Sequence, residues 1–262
     1  MKVTFRHFGE HLASSRYRAL IPQRQLACLG VEKGRDWLVI GKHGWNFTQE
    51  AEGFTRVCFD VCDDHFSGQY AKHYIAAIER ADLVTCNSQE MRRVIKEHTG
   101  AEAVVIPDPY EQQECDPRLH ERLLWFGHSS NLADLTPWLE YLGEIEIVSN
   151  LKNVGGVTEW TPQSMERAFQ TAGLVIIPTG KSMAKSANRA IESIRRGLFV
   201  VAGYLPAYAD LGCYIGNIAD GVEWALSHER EALKRVSASQ RYIAAEYSPA
   251  RIGELWLKAL SN

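Results

Sequence analysis

Lys185, Asn188, Arg189 and Glu192 gather a cation, an amide, a guanidinium and a carboxylate where an apolar run gives way to a helical pattern. The run Leu174 to Ile177 reads as a buried parallel strand. A loop carrying Lys181, Lys185 and Ser186 follows, and a helix opens near Asn188-Arg189. Gly197 stops that helix, and a second buried strand, Leu198 to Ala202, comes next. In such a βαβ unit the backbone N–H groups and the positive end of the helix favour an anion. Glu192, one turn into the helix, is an odd neighbour for an anion alone. It suits a nucleotide, whose phosphates need donors while its ribose hydroxyls need an acceptor. Glu192 also stands at the spacings of an intrahelical ion pair with Arg189 or Arg196, so spacing leaves both readings open.

Other groups with chemical potential lie beyond predicted strand ends, where open α/β sheets collect ligands. Asp60, Asp63, Asp64 and His65 follow one strand. An aspartate pair there could hold a metal, and Cys58, Cys62 and His65 suggest zinc, but their spacing matches no common zinc site. His65 is a candidate for positioning an acceptor or steadying charge, although a lone loop histidine is more often solvated or a cap. Ser14-Ser15-Arg16-Tyr17-Arg18 begins a helix, either a capped helix with exposed arginines or a binding edge. Gly127-His128-Ser129-Ser130-Asn131 is a second small-residue loop. Trp160 precedes the clean helix start Thr161-Pro162 and could stack on a base or fill the core. Thr179-Gly180-Lys181-Ser182 imitates the end of a P-loop, but that motif needs glycine where Val175 stands.

The elements that must position these groups alternate. The pattern predicts strands over Val3–Phe8, Trp37–Gly41, Val57–Val61, Leu83–Cys86 and Ala103–Ile106. Helices are predicted over Ser14–Leu29, Tyr70–Ala81 and Ser88–His98, with Pro22 a potential kink in the first. Pro107 to Pro117 is polar and proline-punctuated, which reads as a linker. Alternation then resumes with strands Arg122–Phe126 and Ile145–Val148, a short strand before Trp160, and helices Leu132–Leu142 and Pro162–Ala172. Ser248-Pro249 starts a last helix running to Leu260. Such alternation implies parallel sheets, an α/β class.

The order Lys185, Asn188-Arg189, Glu192, Gly197, Val200-Val201-Ala202 resembles the donor-binding segment of GT-B-fold glycosyltransferases, in particular the retaining family 4 (group 1) type. Phe59–His65, Glu79–Ser88 and Val105-Ile106-Pro107 are similar in order and spacing to the amino-terminal half of such enzymes. The resemblance implies two Rossmann-like domains facing across a cleft. Residues 1–108 would form the acceptor side, and 109–262 the linker and donor-binding domain, with the final helix crossing back. It implies a hexosyl- or related transferase acting with retention and without metal or other cofactor, the nucleotide sugar being a co-substrate. His65, Lys185 and Arg189 take catalytic roles on this analogy. Gly127, His128, Ser129, Trp160, Lys185, Asn188, Arg189 and Glu192 face the donor, and Ser15, Arg16, Arg18, Asp63 and Asp64 the acceptor. Two departures stand out. Ala184 occupies the place of the first of the family's paired acids, and the basic pair after the first strand of the second domain is missing. They leave room for a binding protein without transfer activity, or for a sugar-nucleotide epimerase.

The bulk properties fit this class. At 262 residues the chain supports one large or two small α/β domains. A net charge of −3 gives no electrostatic reason to expect nucleic acid as a partner. No apolar stretch suggests secretion or a membrane span, and six scattered cysteines suit a reduced, cytoplasmic chain.

Overall fold

The computed structural model describes residues 1–10, 12–41, 47–180 and 182–262. The chain divides into two compact units. The first comprises Met1–Tyr110, Met183–Ser186 and Ala245–Asn262, and the second Glu111–Ser182 and Ala187–Ala244.

The first unit holds five parallel strands in the order β1 (Lys2–Phe5), β2 (Glu32–Gly41), β3 (Arg56–Val61), β4 (Leu83–Cys86) and β5 (Val104–Val105). Apolar residues on successive strand positions point to opposite faces, and both faces are covered. Leu38, Ile40, Val57, Phe59 and Val61 pack with Tyr74, Ile78, Met91 and Ile95 on one side. Trp37, Val39 and Cys58 pack on the other side with Val3, Phe5, Ile252 and Trp256. The last two come from the final helix, Pro249–Ser261, capped by the Ser248 side chain. The helix predicted over Ser14–Leu29 is interrupted by a π turn, Arg16–Leu20, before Ile21–Cys28. Pro22 explains this, because its ring nitrogen has no N–H to give the preceding turn.

The second unit holds six parallel strands in the order β11-β10-β9-β6-β7-β8. These are β6 (Leu123–Gly127), β7 (Ile145–Ser149), β8 (Thr158–Glu159), β9 (Leu174–Ile177), β10 (Phe199–Ala202) and β11 (Tyr214–Ile215). From β6 the chain builds outward through β7 and β8. It then returns to the other flank of β6 with β9 and continues through β10 and β11. The order therefore reverses between β6 and β9, a topological switch point of the kind where open α/β sheets bind ligands beyond the strand ends. Strand order in the first unit runs one way only.

Candidate functional site

Three pieces of chain meet beyond the carboxyl ends of β6 and β9. They are the loop from Gly127 to Asn131, Thr179-Gly180, and the start of the helix Asn188–Arg195. This helix is amphipathic and almost wholly buried after its first turn. Its N-cap is Ala187, which has no side chain to cap the first N–H groups. Those donors face the switch point at the positive end of the helix.

Arg189 bridges the pieces. Its Nη1 donates to the Phe126 carbonyl at 3.3 Å. A Cβ on Gly127 would stand 3.3 Å from that nitrogen, so the loop needs glycine where the guanidinium crosses it. Burial pushes the guanidinium below its usual value, while Tyr208 and Asp134 oppose that shift by charge. The Asp134 carboxylate lies against Gly180. Among the described residues no carboxylate comes within ion-pair distance of Arg189. Its neighbours on the helix differ, since Arg195 pairs with Glu114 and Arg196 with Glu166. Arg189 is thus a half-buried cation only partly compensated by protein charge, at an uncapped helix start. That combination attracts an anionic group.

The Gly127 loop is built to hold its shape. His128 Nδ1 accepts from Ser130 N at 3.2 Å, and Ser129 N donates to Asn150 Oδ1 at 2.7 Å. Trp160, half-buried, donates its backbone N–H to the Ser149 carbonyl at 2.6 Å, which ties the end of β7 to the loop after β8. Gly127, His128, Ser129 and Arg189 are therefore gathered around the switch point, with Asn188 beside Arg189 at the helix start.

Glu192 forms neither intrahelical ion pair. It is only 4% exposed, and its Oε1 and Oε2 accept the backbone N–H groups of Glu111 and Gln112 at 2.8 and 3.0 Å. The segment that composition marks as a linker is thus docked on this helix. Lys185 counts with the first unit, in Met183–Ser186, and Lys181 lies outside the described residues. Ala184, at the place of the missing acid, is buried in the first unit's apolar cluster.

In the first unit, a shallow cavity beyond β1 to β3 is lined by Ser14, Ser15, Arg18, Asp60 and Cys62 among others. Ser15 is buried and accepts from Phe8 N at 3.3 Å. Arg16 is half-buried and donates to the Glu10 carbonyl at 3.3 Å. Arg18, expected at an accessible acceptor edge, is only 6% exposed. It grips Asp60 with two hydrogen bonds of 2.9 and 2.7 Å and reaches Asp108 at 3.1 Å. Burial works to discharge this guanidinium, and Asp60 and Asp108 more than offset that. Thr85 also donates to Asp60, at 2.6 Å. A lone aspartate inside the otherwise apolar run Val57–Val61 of β3 is the sequence signal for this network. Asp64 caps its own loop through Phe66 N at 3.2 Å, and Asp63 accepts from Cys62 Sγ at 3.7 Å. His65 sits edge-on to Tyr70 and Tyr74. Among the described residues no group of three or more His, Cys, Asp or Glu is placed to hold a metal ion. All six cysteines are free, and burial pushes the Cys86 and Cys213 thiols up to about 12. No described helix is long and apolar enough to cross a membrane.

No family model matches this chain, and no curated protein matches it either. Solved structures do. HepE of Anabaena in complex with UDP and glucose is 11% identical, with 98% of this chain and 85% of that one covered at a TM-score of 0.68. A trehalose-6-phosphate protein of E. coli bound with UDP-2-fluoro glucose is 12% identical over 94% and 77% of the two chains, TM-score 0.66. Sucrose-phosphate synthase of Thermosynechococcus elongatus is 11% identical over 97% and 81%, TM-score 0.61. At these identities the likeness establishes the fold. The chain has the GT-B architecture, two Rossmann-like α/β units.

Proposed function

We propose that this GT-B chain is a glycosyltransferase that binds a nucleotide sugar at the switch point of its second unit. It would transfer the sugar, with retention and without a metal ion, to an acceptor bound by its first unit. The observation that carries this reading is Arg189, which no carboxylate among the described residues pairs, lying over Gly127 at the uncapped start of its helix. The fold's neighbours include structures holding UDP or a UDP sugar, which makes a uridine diphosphate sugar the first donor to test.

In this mechanism the bond from the anomeric carbon to the diphosphate oxygen breaks, and a bond to an acceptor hydroxyl oxygen forms. The hydroxyl proton leaves to the departing phosphate or to water. Negative charge grows on the diphosphate as the bond breaks. Arg189 and the helix N–H groups are the donors that stabilise it, in the place a metal ion takes in other transferases, and Lys185 is assigned the same task by its position in the family segment. Asn188, His128 and Ser129 add neutral donors at the same mouth. Glu192 accepts from the ribose hydroxyls, and Trp160 lies beside the base. On the acceptor side, Ser15, Arg16, Arg18, Asp63 and Asp64 shape the site, and His65 orients the attacking hydroxyl.

A second reading, nucleotide-sugar binding without transfer, is favoured by Ala184, where the family has an acid and this chain has a buried apolar residue. One experiment separates the two. A thermal-shift panel of uridine, guanosine, adenosine and cytidine sugar nucleotides identifies the donor, since ligand at a hundred times its dissociation constant adds about 2.7 kcal/mol of stability. Release of nucleoside diphosphate from that donor, with and without EDTA, then reports transfer or hydrolysis. Binding without any turnover supports the second reading, and binding of none of them overturns both. Activity lost in EDTA and restored by Mn²⁺ or Mg²⁺ contradicts metal independence.

A further inference from the structure

We propose that Asp134 is a donor-binding residue whose carboxylate accepts hydrogen bonds from the hydroxyls of the transferred sugar. The proposal rests on the functional reading above and names the part of that site that meets the sugar.

Two glycines at the switch point admit two opposite charges. Gly127, which ends β6, leaves room for the Arg189 guanidinium, whose Nη1 would stand 3.3 Å from a Cβ there. Gly180, in the loop after β9, leaves room for Asp134. A Cβ at 180 would meet the two carboxylate oxygens at 2.7 and 2.9 Å, closer than a real Cβ tolerates. Asp134 reaches this place from the short helix Leu132–Leu135, which follows the Gly127 loop, and it is half-buried. The carboxylate and the guanidinium feel each other by charge and form no ion pair. A site with one sign of charge on each side suits a ligand that is itself divided, anionic at one end and rich in hydrogen-bond donors at the other.

Strand order gives each charge a different part of that ligand. The strands β9, β6, β7 and β8 are successive neighbours. Gly180 follows β9, Gly127 ends β6, and Trp160 follows β8. A nucleotide sugar laid along this edge, with its base at Trp160 and its diphosphate at Gly127 and Arg189, brings its sugar to Gly180. A carboxylate repels phosphate and accepts from hydroxyls, so the sugar is the part of the ligand that suits Asp134. A merely structural Asp134 would complement the N–H groups at the start of its own helix. It would then have no preference between a ligand that carries a sugar and one that does not.

The test uses the whole chain with two probes, UDP and UDP-glucose, titrated calorimetrically. The quantity read is the ratio of the two affinities. Asp134→Ala removes the acceptor, and the preference for UDP-glucose over UDP should fall about tenfold, the lower range for losing a hydrogen bond to a charged group. Gly180→Ala keeps the carboxylate and pushes it aside, so it should lower the ratio in the same direction. An unchanged ratio in Asp134→Ala overturns the proposal, whether both affinities rise, both fall or neither moves. Wild-type protein that binds UDP but not UDP-glucose overturns it as well. Wild-type protein that binds neither probe overturns the functional reading, and the proposal with it. If Asp134→Ala does not fold, the ratio in Gly180→Ala decides in its place, and an unchanged value there overturns the proposal.

Discussion

Arg189 lies across Gly127, its Nη1 bonded to the Phe126 carbonyl and 3.3 Å from where a Cβ at 127 would stand. The first strand of the second unit carries no basic pair at its end, yet a guanidinium reaches that place from the helix Asn188–Arg195, which follows β9. The positive charge at that strand end comes from a different element, and the glycine is what admits it.

Gly127→Ala therefore tests the site from the opposite side. The new methyl would stand 3.3 Å from both the Arg189 guanidinium and the Trp125 ring. Trp125 is fully buried and cannot give way cheaply, so Arg189 moves. UDP affinity should fall about fivefold while stability drops by about 1–3 kcal/mol, read by titration and by denaturant melts. Unchanged affinity would mean that Arg189 does not touch the ligand.

Arg18→Ala should be among the most damaging single changes in the first unit. Among the described residues it leaves Asp60, 1% exposed, with Thr85 as the one hydrogen-bond donor on its carboxylate. Breaking one side of a buried ion pair costs about 3–5 kcal/mol. Urea denaturation measures this directly, and a loss under about 1 kcal/mol would show that the pair is not sealed from water.

Asp108 gives the fold a pH signature. Burial holds its carboxyl above the usual range, against Arg18 and a hydrogen bond from Ser186. An acid whose folded value is raised contributes stability that is fully present below its unfolded value, about 3.9, and is lost as pH rises through the folded one. The stability advantage of wild type over Asp108→Asn should thus shrink as pH rises from about 4. Other carboxylates pull the opposite way, so the difference between the two denaturation curves is the quantity to follow. A constant difference across that range would contradict the assignment.

The strands were the most legible part of the fold, because apolar runs buried on both sheet faces leave a plain record. β4 and β9 match their predicted residues, while β1 ends at Phe5 rather than Phe8. The helix predicted over Leu132–Leu142 breaks into short turns at Pro137, and Glu229–Glu246 is a helix that the pattern does not predict. In the candidate site, Arg189 and the Gly127 loop could be named because strand ends and helix starts are sequence features. The hold of Glu111 and Gln112 on Glu192 could not, since the donors are backbone N–H groups that look alike in every residue but proline. Arg18 was placed at an edge for a related reason. Its partners Asp60 and Asp108 come from distant parts of the chain, and only the folded sheet brings them together.

The central claim is that Arg189 acts on the charge that develops at the diphosphate, and Arg189→Lys tests it most directly. Lysine keeps the charge and loses the fork that can grip two phosphate oxygens. Steady-state kinetics with the donor found by the binding panel should show turnover lower by on the order of 10²-fold, with a smaller change in donor affinity. Near wild-type turnover in both Arg189→Lys and Arg189→Ala would contradict the account, leaving Arg189 as a helix cation with no part in transfer.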